Sequence, residues 1–150
     1  MTNRKTWLLA LTLLILLFAV VVLGWGIIRK TQFDTSSASF ATNIVETLFA
    51  ANGIETLGEV VNNGSFSAES QERLVGRISS LKRLVGSLES INGVFGGAEV
   101  PLIPFKEITA SYDLDLRTRA GQINANLVLA WLNDAWTVQK ITFSGAPLQG

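Results

Sequence analysis

The stretch DLDLRTRAGQINANLVLAW, residues 113–131, decides the fold. Leu114 and Leu116 alternate with Asp113, Asp115 and Arg117, then a polar turn follows around Gly121. Beyond it Ile123, Ala125, Leu127, Leu129 and Trp131 alternate with polar or small residues. A period of two residues is the mark of a pleated strand with one buried face. Two such runs joined by a short polar turn make a hairpin. Ile108, Ala110 and Tyr112 extend the first strand upstream. Downstream, Trp136 and Val138 begin a third, after a turn around Asn133-Asp134. Ile141 and Phe143 resume the pattern one residue out of phase, which predicts a bulge near Gln139 or Lys140. The product is an antiparallel meander with an apolar face and a wet face.

Helical periods precede the strands. Phe40, Ile44, Val45, Leu48 and Phe49 fall on one face of a helix that starts at Ala38. Leu57, Val60 and Val61 predict a further turn or two. Ser67 suits the cap of a longer helix whose stripe is Leu74, Ile78, Leu81, Val85 and Leu88, widened by Val75, Leu84 and Ile91. The motif RLVG occurs twice in it, and Gly76 and Gly86 each cost about 1 kcal/mol in a helix interior. Residues 93–105 hold three glycines and two prolines and predict an irregular connector, with a short edge strand over 98–102. Its apolar run, Val100, Leu102, Ile103 and Phe105, needs cover from the core, a partner or a nearby bilayer. The expected fold class is α+β, with two or three helices packed on an antiparallel three- to four-stranded meander.

The amino end is of another kind. Residues 7–28, WLLALTLLILLFAVVVLGWGII, carry no charge across 22 positions. As a helix they span about 33 Å, the thickness of a bilayer's hydrocarbon core. Trp7 and Trp25 sit near the two ends, where indole rings favour the interface, and Arg29 and Lys30 follow at headgroup depth. A cleaved signal peptide has a shorter apolar core and a small-residue cleavage site. The expected organisation is an N-terminal transmembrane anchor over 1–30, a Ser/Thr-rich linker over 31–37, a small α+β domain over 38–146 and a tail over 147–150. A short basic amino end before a large carboxyl domain favours the amino end inside and the domain extracytoplasmic.

Composition excludes several chemistries. The 150 residues contain no Cys and no His. Disulfides, zinc sites built from those residues, and Ser-His or Cys-His nucleophile pairs are therefore absent. Past position 30 the chain has 8 Lys and Arg against 12 Asp and Glu, a net of −4. An acidic domain is a poor partner for phosphate backbones, so nucleic acid is not expected. No cofactor motif is present: the glycines around 93–97 lack the G-K-[ST] that follows a phosphate cradle.

Two amphipathic helices, a Gly-containing connector and a meander ending in NDAWTVQKITFSG resemble the cystatin-like roll of the nuclear-transport-factor-like superfamily. Within it, the likeness is to small membrane-anchored bacterial domains of unknown function. Their last strand commonly carries a Trp just after a turn, as Trp136 does here, followed by alternating apolar residues such as Val138, Ile141 and Phe143. LKRLVGSLESI resembles the end of their long helix. The resemblance implies a helix covering a curved sheet. Enzymes of the superfamily carry an Asp–His or Tyr–Asp pair in the cone between them, and without His the first is missing.

The residues leave three functional readings. Asp113, Asp115, Asn124 and Asn126 share the wet face and predict a docking surface, which favours a non-enzymatic interaction module bound to a protein partner or to itself. Tyr112, Trp131 and Trp136 belong to the inward set and would line a small-ligand or weakly catalytic pocket between long helix and sheet. The third reading is an accessory subunit or assembly factor of a membrane complex.

Overall fold

The computed structural model describes residues 2–50, 68–101 and 106–146. Helix α1 is Thr2–Phe49 and helix α2 is Ala68–Val85. Four strands follow: β1 Leu88–Glu99, β2 Thr109–Thr118, β3 Gly121–Leu132 and β4 Ala135–Ser144. They form one antiparallel sheet in the order β1-β2-β3-β4. The architecture is α+β, as the two periods require.

The buried face of the sheet is the alternating set. Leu114, Leu116, Ile123, Ala125, Leu127 and Leu129 are fully buried. Ile44, Val45 and Leu48 from α1 and Ile78, Leu81 and Val85 from α2 join the same core. Each of the Leu, Ile and Val side chains contributes about 1.5–3 kcal/mol by leaving water. The bulge falls where the phase slips: Val128 pairs Lys140 while Leu129 pairs Val138, so Gln139 is the extra residue. The β3–β4 turn holds Asn133 and Asp134 at φ 50 and 60, the twist that a two-residue hairpin favours.

Residues 31–37 are a correction. They are not a linker but the middle of α1, which runs unbroken from the apolar segment into the core. Their hydroxyls turn back onto the helix instead of capping it. Thr31 donates to the carbonyl of Ile27 at 3.0 Å, Thr35 to that of Thr31 at 3.0 Å and Ser37 to that of Phe33 at 2.6 Å. A helix already formed upstream extends without a new nucleus, so modest propensities suffice. The buried stripe accordingly begins at Phe33 and Ser37, ahead of Ala41.

The second correction lies at the end of α2. The helix stops at Val85, and Leu88 and Ile91 belong to β1. Gly86, at φ 75, takes the left-handed position that closes a helix, and its N–H donates to the Lys82 carbonyl at 3.0 Å. The twin motifs thus differ: Gly76 lies inside the helix with open space around it, and Gly86 ends it. Leu84 is exposed rather than part of the stripe. The expected connector is mostly strand, since β1 continues through Gly93, Gly96 and Gly97 to Glu99. The expected helical turns at Leu57, Val60 and Val61, the Ser67 cap, and Leu102, Ile103 and Phe105 lie outside the described residues.

Candidate functional site: the joint between helix and sheet, and the wet face

Where α1 leaves its apolar segment, one turn of helix meets all parts of the sheet. Phe33 lies edge-on to Trp131 and Trp136, with ring centroids 5.2 and 5.9 Å away, and the two indoles meet each other at 5.2 Å. The Arg29 guanidinium carbon sits 5.7 Å from the Phe33 ring and 5.9 Å from the Trp25 ring. Trp25, Arg29 and Phe33 are four residues apart, so one helix face carries a continuous aromatic and cationic row onto the sheet.

The polar atoms of the joint are matched. Trp136 Nε1 donates to Ser36 Oγ at 3.0 Å. Tyr112, 3% exposed, places its hydroxyl 2.7 Å from Ser37 Oγ and donates to the Asp34 carbonyl at 3.1 Å. Asp34 Oδ1 accepts the Ala98 N–H at 2.7 Å, and Oδ2 pairs with Lys30 Nζ at 2.8 Å. Ala98 lies near the end of β1, an edge strand, so Asp34 covers a donor that would otherwise be open to another chain. Gly97 permits the approach, since a Cβ there would stand 3.1 Å from Asp34 Oδ1.

Tyr112, Trp131 and Trp136 are therefore brought together, but around side chains of α1. The Tyr112 hydroxyl and the Trp136 indole make their hydrogen bonds within the chain, and Phe33 packs against both indoles. Lys30 and Arg29, expected as headgroup contacts, both touch partners of α1 itself. Trp7 and Trp25 remain exposed. The sequence offered one sign of the joint: Phe33, Ser37 and Ala41 recur at four-residue steps, hidden by the surrounding hydroxyl residues.

Burial pushes the Asp34 carboxyl up, but the hydrogen bonds from Lys30 and the Ala98 N–H, with the Lys30 charge, outweigh it and hold the pKa below its ordinary 3.8. A lowered folded-state pKa means that the contribution is complete above the unfolded value and is lost as pH falls through the folded one. Asp34→Asn should lower stability at pH 7 by up to about 1 kcal/mol, the range of a solvent-screened pair. The gap between the two proteins, read from thermal unfolding in detergent, should begin to narrow as pH falls below about 4 and close once the folded-state carboxyl is protonated. An unchanged gap at pH 3 would contradict this role.

On the opposite face, Asp113 pairs across the strands with Asn126, and Asp115 with Asn124. Asn126 Nδ2 donates to Asp113 Oδ1 at 2.8 Å. The Asn124 amide, turned nitrogen-first, reaches Asp115 Oδ1 at 3.1 Å. The four predicted residues thus form two adjacent rungs of one ladder. The rungs continue to Thr142 and Ser144 on β4, and to Phe95 and Gly93 on β1. Phe95 was missed by sequence reasoning because it sits in the glycine-rich stretch. It is 60% exposed, and its ring lies over Gly93, where a Cβ would come within 2.5 Å of it. Among the described residues no group of three or more acidic side chains is placed to hold a metal ion.

No family model, no curated protein and no solved structure matches the chain.

Proposed function

We propose that the protein is a single-pass, membrane-anchored interaction module without enzymatic activity, its domain extracytoplasmic. α1 is long and apolar enough to cross a membrane, and its apolar window is wholly exposed, as lipid contact requires. The observation that carries the reading is the joint. A span that continues as a packed core helix holds the sheet at fixed height and angle, whereas a flexible linker would leave it to tumble. Such an arrangement suits presentation of a surface. The surface is the wet face, a polar ladder that carries one exposed aromatic, Phe95. Aromatic side chains ringed by polar contacts are the usual energetic centres of protein interfaces. The helix-on-meander layout supports the cystatin-like roll as the fold type, and the basic amino end at Arg4 and Lys5 supports its placement inside.

The test is the assembly state of the full chain extracted from membranes. Wild type should run as an oligomer or a stoichiometric complex. Phe95→Glu, changed at an exposed position, should run as a monomer with an unaltered melting temperature. Wild type that is monomeric and alone in several detergents would contradict the reading.

A further inference from the structure

The contacts along α1 give a ruler for the depth of the sheet. Phe33 is level with Trp131 and Trp136, Asp34 with Ala98, Ser37 with Tyr112 and Phe49 with Phe143. From Phe33 to Phe49 the helix rises about 24 Å at 1.5 Å per residue. From Trp136 to Phe143 the strand covers about 20 Å at 3.3 Å per residue once the bulged Gln139 is left out. The two rises are similar, so β4 climbs in the same direction as α1 and approximate heights can be carried from one to the other.

With the hydrocarbon core ending near Ile28, Phe33 stands about 7.5 Å above it, Asp34 about 9 Å and Ser37 about 13.5 Å. The strands descend from those levels toward the membrane. Asn133 and Asp134 lie two residues below the indoles, at about 1 Å. Across the register Ala98 is in line with Ala110 and Leu129, two residues above Trp131, so Val100 is level with the indoles at about 7.5 Å and Thr109, opposite Ala130, stands about one residue higher. The β3–β4 turn is thus the lowest of these points, and a second observation agrees. Lys30, about 3 Å above the core, lines one cleft with Val100, Pro101, Lys106, Glu107 and Thr109. The headgroup layer is about 5–7 Å thick on each side of the core.

We infer that the lower rim of the sheet, the β3–β4 turn together with Val100 and Lys106, rests in the lipid headgroup layer as a second contact with the bilayer. The inference rests on α1 spanning the membrane. Its chemistry fits a zwitterionic surface. Leu132 offers an exposed apolar side chain at the tip. Lys106 faces phosphate, Glu99 and Glu107 face the amine side of the headgroup, and Lys30 is already paired with Asp34. Embedding the rim also fixes rotation of the domain about α1, which a single helix leaves free.

The chain has no Cys, so one introduced thiol carries a clean label. Full-length protein in phosphatidylcholine nanodiscs, with a nitroxide on a fraction of the headgroups, would be labelled with bimane at Leu132→Cys or, as a second rim site, Lys106→Cys. Controls are Arg119→Cys, in the opposite turn about 33 Å above Thr109, and Leu16→Cys inside the span, read with an acyl-chain nitroxide. Both rim sites should lose most of their emission and Arg119→Cys almost none. Rim sites as bright as Arg119→Cys, with Leu16→Cys quenched, would overturn the rim contact while the span stood. An unquenched Leu16→Cys would overturn the span and the rim contact together.

Discussion

Trp136→Ala should cost about 3–5 kcal/mol, the range for emptying a large aromatic site in a packed core. Trp136 is 7% exposed, meets both Phe33 and Trp131, and donates to Ser36. Removing it opens a void and takes away one of the contacts that hold the sheet to α1. For a domain of this size the melting temperature in detergent should fall by at least about 10 °C. Trp136→Phe separates the terms: it retains a ring but not the Nε1 donor, and should lose only about 1 kcal/mol for the hydrogen bond plus some packing. Trp7→Ala, exposed at the far end of α1, should leave the melting temperature unchanged. A Trp136→Ala protein within about 1 kcal/mol of wild type would mean that helix and sheet are not joined there.

The second large effect belongs to Gly96. Its φ is 138, a backbone region that residues with a Cβ rarely adopt, and it pairs with Tyr112 in the β1–β2 ladder. A Cβ added there would stand 2.0 Å from the Ser111 carbonyl oxygen, a backbone atom that no rotamer change can move. Gly96→Ala must therefore break the ladder at the residue next to the Asp34-capped end of β1. The expected loss is at least about 2 kcal/mol, strain and broken pairing combined. Two other glycines calibrate it. At Gly93 the obstacle is the Phe95 ring, which can swing into solvent, so Gly93→Ala should be milder. At Gly76 nothing lies within 4 Å, so Gly76→Ala should gain about 0.5–1 kcal/mol of helix stability. Circular dichroism melts of the three variants give the order directly, and equal effects at Gly96 and Gly93 would contradict the backbone clash.

What the sequence made legible follows from how far each signal reaches. The two-residue period from Ile108 to Phe143 is dense and continuous, so three strands, their buried faces and the bulge at Gln139 were readable. That Asp113, Asp115, Asn124 and Asn126 share the wet face followed from strand alternation alone, but the pairing of Asp113 with Asn126 and of Asp115 with Asn124 is a matter of register that alternation does not carry. β1 was hidden because glycines at 93, 96 and 97 carry no side-chain pattern. It exists through pairing with β2, which is a long-range fact. The run 31–37 misled for a related reason. Ser and Thr favour caps and turns when isolated. Inside a helix anchored at both ends, they bond to the preceding carbonyls or to the sheet. Tyr112 and Trp136 were correctly placed inward, but what they meet, Ser37 and Ser36, lies 75 and 100 residues away in the chain.

The central claim is continuity of α1 from membrane to core, and a distance across residues 31–37 tests it most directly. Nitroxides at Ile27→Cys and Glu46→Cys, both exposed positions of the otherwise Cys-free chain, would be measured by pulsed dipolar spectroscopy in nanodiscs. An unbroken helix separates the two backbones by 19 residues at 1.5 Å each, so a single narrow peak near about 28 Å is expected. A broad distribution, or a peak well short of that value, would show a hinge at 31–37 and contradict the rigid mounting of the sheet.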